Sequence, residues 1–137
     1  MLDNDFIEIK GQLKKVNEMM EKSLKNYKRE GFENKKVYHE LEHYSEKIED
    51  MIEFIKYMSR ETVEDRLSLR ADGRYEINST TYFTSGSSIE VYIDGEWCLG
   101  RVESRHDSGK AIYYFLNNDG NNIDLYEGLR VRVRKRY

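Results

Sequence analysis

The chain has 137 residues, 36% of them charged, with a formal net charge of −3. That length suits one ordinary domain or two very small ones, and mixed charge of this kind implies neither a nucleic-acid nor a membrane partner. Eleven tyrosines and five phenylalanines exclude a disordered chain, the absence of proline excludes proline-kinked helices, and a lone Cys98 excludes an internal disulfide or a cysteine-rich zinc site.

The opening stretch, MLDNDFIEIK, is acidic and amphipathic and therefore no signal peptide. No apolar run approaches the ~20 residues that span a bilayer, so the expectation is a cytoplasmic, bacterial protein with no membrane partner. Phe6, Ile9, Leu13, Val16, Met20, Leu24 and Tyr27 recur at steps of three and four. So do Val37, Leu41, Tyr44, Ile48, Met51, Ile55 and Met58. Each set makes one stripe on a helix. Gly31 marks a helix end and Asn34 is a candidate N-cap. The pattern predicts two antiparallel, coiled-coil-like helices, roughly 3–30 and 34–60, within a first domain of residues 1–62. A two-helix hairpin leaves little apolar area buried, so it should pack on the second half, form a homodimer through its helices, or grip a partner.

Inside the second helix lies HELEH, residues 39–43. His39 and His43, one helical turn apart, are weak candidates for a zinc pair with Glu40 as base, and Glu61 and Asp65 follow as further carboxylates. Against this, Leu41 falls on the apolar stripe. With Leu41 at an a position of the heptad, both histidines face water, and no cleft would hold a peptide. Catalytic zinc is therefore the remote alternative, and the expectation is no enzyme and no cofactor. Cys98 lacks a base at a recognisable spacing and reads as a small mid-strand residue.

From Leu67 the apolar period becomes two. LSLRADGRYEI reads as a hairpin about Asp72-Gly73 and SIEVYIDGEWCLGRVESR as another about Asp94-Gly95, with positive φ required at both turn residues. AIYYFLN, a polar turn over 117–122 and LRVRVRKR follow. Gly86, Gly100, Gly109, Gly120 and Gly128 are expected to supply bends and turns. Five or six short strands in a second domain, residues 67–137, predict a small antiparallel barrel and an α+β chain overall.

A two-residue turn at Asp94-Gly95 pairs Ile93 with Glu96, Tyr92 with Trp97, Val91 with Cys98 and Glu90 with Leu99. Ile89, Val91, Ile93, Cys98, Gly100 and Val102 then share the core face, and Tyr92 and Trp97 lie side by side on the other. That pair is either a recognition platform or a second apolar face covered by the helices. At least one of Tyr113, Tyr114 and Phe115 must point outward, and Tyr114 is taken as an extension of the platform. In the last strand Leu129, Val131 and Val133 turn inward, and Arg130, Arg132 and Arg134 line up outside, followed by Lys135 and Arg136. The stripe suits phosphates or an acidic protein surface, or it is an edge strand kept soluble by charge.

The run G-x-x-I-x-V-x-x-D-G-x-W-x-x-G-x-V, Gly86 to Val102, and the closing E-G-L-R-V-R-V, residues 127–133, resemble SH3-like and Tudor-like small barrels. They are most similar to a family of small uncharacterised proteins of Gram-positive bacteria and their phages and mobile elements. The resemblance covers roughly the last 50 residues and implies an SH3-like fold without an assigned activity; of an aromatic cage for methylated residues, only Tyr92 and Trp97 would match. The expected function is a non-enzymatic inhibitor or adaptor acting on a host protein or nucleoprotein, an anti-CRISPR or other anti-defence factor being one candidate. The alternative is direct nucleic-acid binding through Arg130, Arg132, Arg134, Lys135, Arg136 and the aromatics.

Overall fold

The computed structural model describes residues 1–26 and 30–136. The chain divides into two compact units, the first ending at Arg60 and the second starting at Glu61. As expected, it is an α+β chain: two helices precede an antiparallel β unit.

Helix α1 spans Asn4–Asn26 and α2 spans Phe32–Met58. They meet along a seam displaced from the expected stripes. Leu13, Met20 and Leu24 of α1 and Leu41, Ile48 and Ile55 of α2 are buried or half-buried as anticipated. Val16, Val37, Tyr44 and Met51, however, are exposed. Asn17, Ser45 and Ile52, outside those stripes, are buried alongside Ile55, the deepest of the described helical residues. The Ser45 hydroxyl donates to Asn17 Oδ1 at 2.9 Å, and Asn17 Nδ2 donates to Glu21 Oε1 at 3.2 Å. The two central polar side chains thereby satisfy each other in the seam, as buried polar groups must. Tyr27, the last member of the first stripe, lies outside the described residues.

Asn34 is not the N-cap. Helix α2 begins two residues earlier, after Gly31 at φ 83°, a left-handed value that suits glycine. Asn34 Nδ2 instead donates back to the Glu30 carbonyl at 3.0 Å.

In the second unit, β1 is Thr62–Arg66, β2 Ser68–Leu69, β3 Tyr75–Ile77, β4 Thr81–Tyr82, β5 Ser88–Ile93, β6 Glu96–Asp107, β7 Lys110–Leu116, β8 Asn122–Asp124 and β9 Arg130–Arg134. Six strands form one sheet in the order β1-β9-β5-β6-β7-β8, and β2-β3-β4 form a second. The ladder is open: β1 and β8 are its two ends and do not pair with each other among the described residues. Strand β1 precedes the segment in which the sequence showed strand periodicity, and it places Glu61 and Asp65 in the β unit.

The Asp94-Gly95 turn has the expected form, with φ of 50° and 84°, and the β5–β6 register is residue for residue the one anticipated. At Asp72-Gly73 only Gly73 has positive φ. The loop is longer, closed by the Arg70 amide donating to the Arg74 carbonyl and the Gly73 amide donating to the Arg70 carbonyl, with the Arg74 amide donating to Asp72 Oδ1. Asn78-Ser79 and Ser108-Gly109 make two further turns with positive φ at both residues, joining β3 to β4 and β6 to β7.

Leu67, Ile77, Phe83, Ile89, Val91, Val102, Phe115, Leu125, Leu129 and Val131 form the core, with Ile93, Cys98 and Val133 packed against it. Gly100 is not a bend. It sits within β6 opposite Ile89, and the Phe115 ring occupies the space a side chain would need.

Candidate interaction site: an arginine and aromatic face

Strand alternation divides the six-stranded sheet into a core face and an outer face. Val131 and Val133 of β9 point to the core, which turns Arg130, Arg132 and Arg134 outward. Their neighbours follow from register. On β1, Glu64 stands opposite Arg132. On β5, Glu90 also stands opposite Arg132, two residues from Tyr92. Tyr92 in turn stands opposite Trp97 on β6. Four strands, β1, β5, β6 and β9, therefore build one cluster of guanidiniums, rings and carboxylates.

The rings of Tyr92 and Trp97 meet edge to face, with centroids 5.1 Å apart. The Arg130 guanidinium lies 4.2 Å from the Tyr92 centroid and 5.2 Å from that of Trp97, and Arg132 lies 4.3 Å from Trp97. These are cation–π distances, so the arginines roof the rings and hold their orientation. The aromatic pair and the basic strand are thus one feature.

The guanidiniums are also neutralised from within. Arg130 Nε donates to the Glu64 carboxylate. That hydrogen bond holds the Glu64 carboxyl below its ordinary pKa and raises Arg130 further. Glu90 is 3% exposed and takes both remaining arginines. Arg132 Nε and Nη2 donate to its Oε1 at 3.1 and 2.9 Å, and Arg134 Nε donates to Oε2 at 2.9 Å and Nη2 to Oε1 at 3.0 Å. A carboxylate this deep is tolerated because its lone pairs are filled by charged donors. Lys135 Nζ donates to Glu61 at 2.7 Å, which holds the Glu61 carboxyl low, whereas Arg136 is exposed. Four cations of the terminal stretch therefore meet three carboxylates.

A family model, Domain of unknown function (DUF5348), matches residues 66–133. No curated protein and no solved structure matches the chain. The matched stretch contains Glu90, Tyr92, Trp97, Arg130 and Arg132. It leaves out the helical unit, Glu64 and Arg134.

Of the residues singled out from sequence, the fold brings Tyr92, Trp97, Arg130, Arg132 and Arg134 together. Tyr114 is not among them. It pairs with Glu103, six positions along β6 from Trp97, on the order of 20 Å at strand spacing. There it lies under Arg105, 5.4 Å from its ring, and Arg105 in turn makes a two-point pair with Asp124 at 2.7 and 2.9 Å. Phe115 fills the core and Tyr113 is half-buried beside it. His39 and His43 are exposed on α2. Among the described residues no three His, Cys, Asp or Glu side chains gather as a metal site. Sequence reading missed Glu64 and Glu90, the carboxylates that organise the cluster. The available signal was a single charged residue inside the apolar run IEVYI.

Proposed function

We propose that this chain is a non-enzymatic binding protein that docks on a partner protein through the outer face of the sheet, with Trp97, Tyr92, Arg130 and Arg132 as anchors. One observation carries the reading: guanidiniums stacked on a Tyr–Trp pair while their charge is already met by Glu64 and Glu90. Trp, Tyr and Arg are the residues that dominate protein–protein hot spots. Here their side chains are held in place before binding, so little rotamer entropy remains to be lost. Phosphate binding is the weaker reading, because an incoming phosphate would have to displace an internal carboxylate from each of these arginines. The resemblance to small barrel proteins of phages and mobile elements supports a host protein or nucleoprotein as partner, and an inhibitor or adaptor role of anti-defence type.

The test is capture from a host lysate by the immobilised full chain, with and without nuclease, comparing wild type, Trp97→Ala and Arg130→Ala. A protein retained after nuclease by wild type and lost with both variants is the expected result. Capture that collapses on nuclease, together with oligonucleotide affinity that falls steeply with log salt, would overturn it in favour of nucleic-acid binding.

A further inference from the structure

The two sides of the helical hairpin differ in chemistry. In an antiparallel pair, the positions flanking one edge of the seam in α1 lie beside the corresponding positions of α2. One such side carries Lys14 and Glu21 of α1 with Lys35, Glu42, Glu49 and Lys56 of α2, a charged surface broken only by Ile7. The other carries Ile9, Val16 and Met19 with Val37, Tyr44, Met51 and Phe54, all exposed, Met19 to 69% and Val37 to 63%. An open groove of about 470 Å³ over Ile9, Leu13 and Val16 lies on this same side. Helices with an apolar stripe this wide are ordinarily covered.

We infer that this face is covered by the same face of a second copy of the chain, giving an antiparallel four-helix bundle. Three features of the face select that occupant. The first is area: the 23 residues of α1 give a length of ~35 Å at helical rise, and two helices side by side give a width of ~20 Å. The product, ~700 Å², is close to the ~800 Å² per partner of a stable interface.

The second is self-complementarity about a dyad through Tyr44, as a two-fold interface requires. Antiparallel packing of α2 on its copy sets Tyr44 against Tyr44 of the second copy. It sets Val37 against Met51 of the second copy, and Met51 against Val37. The third is charge: the same dyad sets Glu40 against Lys47 of the second copy, and the reverse, so these two α2 charges are met, while Asp5 and Glu8 line the groove near the start of α1. The Asn17–Ser45 hydrogen bond aligns α1 so that Val16 and Met19 fall at the same level and exchange contacts with their copies.

The experiment is sedimentation equilibrium of the full chain across the micromolar range, at low and moderate salt. Wild type is expected at twice the monomer mass. Tyr44→Glu, which places like charges at the dyad, should weaken the dimer at least ~10-fold, and Val37→Lys should do the same by an independent substitution. Glu40→Lys and Lys47→Glu should each weaken it, and the double exchange should restore it. Helicity by circular dichroism identifies any variant that fails to fold, and the remaining ones then decide. A monomer throughout the range, a dimer unaffected by Tyr44→Glu and Val37→Lys, or a double exchange no tighter than the single ones overturns the inference. A monomer that still captures a protein through Trp97 would leave the role of the sheet intact.

Discussion

Replacing Glu90 by alanine tests the physical reasoning behind the arginine cluster most directly. The carboxylate is 3% exposed and accepts four hydrogen bonds from two guanidiniums. Removing one partner of a buried ionic group costs about 3–5 kcal/mol, because the other charges remain desolvated without compensation. Here Arg132 and Arg134 keep 22% and 10% of their side-chain surface in water, which places the expected loss near the lower end, about 3 kcal/mol. A unit of this size holds on the order of 4–11 kcal/mol in total, so the loss is a large fraction of it. With a urea slope of about 1–1.5 kcal/mol/M, the midpoint should fall by about 2–3 M. Trp97, the single tryptophan, touches Arg132 and reports the transition by fluorescence. Adding Arg132→Ala to Glu90→Ala should cost less than the sum of the single losses, since both remove the same interaction. A midpoint shift under about 0.5 M, or strict additivity, would refute the idea that Glu90 and the arginines are interdependent.

Gly100→Ala should destabilise the β unit by about 1–3 kcal/mol in the same urea assay, because the new methyl group meets the Phe115 ring and the Leu116 carbonyl oxygen. In the helical unit, Ser45→Ala should cost about 1–2 kcal/mol by removing the donor to Asn17, while Asn17→Leu combined with Ser45→Ala should recover or exceed wild-type stability, as read by thermal melting. Glu61, Glu64, Asp65 and Asp124 all have folded pKa values below their ordinary 4.5 or 3.8, chiefly through hydrogen bonds from Lys135, Arg130, the Arg66 amide and Arg105 respectively. A depressed folded pKa means that the unfolded chain takes up protons first as the pH falls. The stabilisation is therefore complete well above pH 4.5 and is lost progressively below it. Midpoints should be flat between pH 6 and 8 and decline below about 4.5, and Asp65→Asn should shrink the decline.

The β5–β6 hairpin was legible because Asp94-Gly95 fixes a two-residue turn and a turn of that type fixes register. Strand β1 was not, because Thr62-Val63-Glu64-Asp65-Arg66 contains one apolar residue and becomes a strand only through its pairing with β9, more than sixty residues later. The turn at Asn78-Ser79 escaped because it reaches positive φ without glycine. The helices were legible as elements, but their seam was shifted. Two adjacent rows of each helix are apolar, and the seam includes the polar Asn17 and Ser45, so hydrophobicity alone picked stripes that mix buried or half-buried positions such as Leu41 and Ile55 with exposed ones such as Val37 and Tyr44. Glu90 read as a solvent-facing strand residue, since local alternation cannot show that two arginines of a distant strand will enclose it. The rings and arginines of the candidate site were each visible in the sequence, and their assembly into one cluster was not.

Strand β9 lies between β1 and β5, and both precede it by about forty residues or more. The sheet therefore cannot be completed from one end by adding consecutive hairpins. Closing those long loops costs entropy before any pairing compensates, which points to assembly in milliseconds to seconds, while the helices form from local contacts much sooner. During that interval β5 presents a bare strand edge, the slot that β9 will fill, since β1 joins the sheet only through β9. During synthesis or refolding, the slot is where a β9 segment from another molecule would insert, and the route to misassembly for this chain is strand exchange at that position.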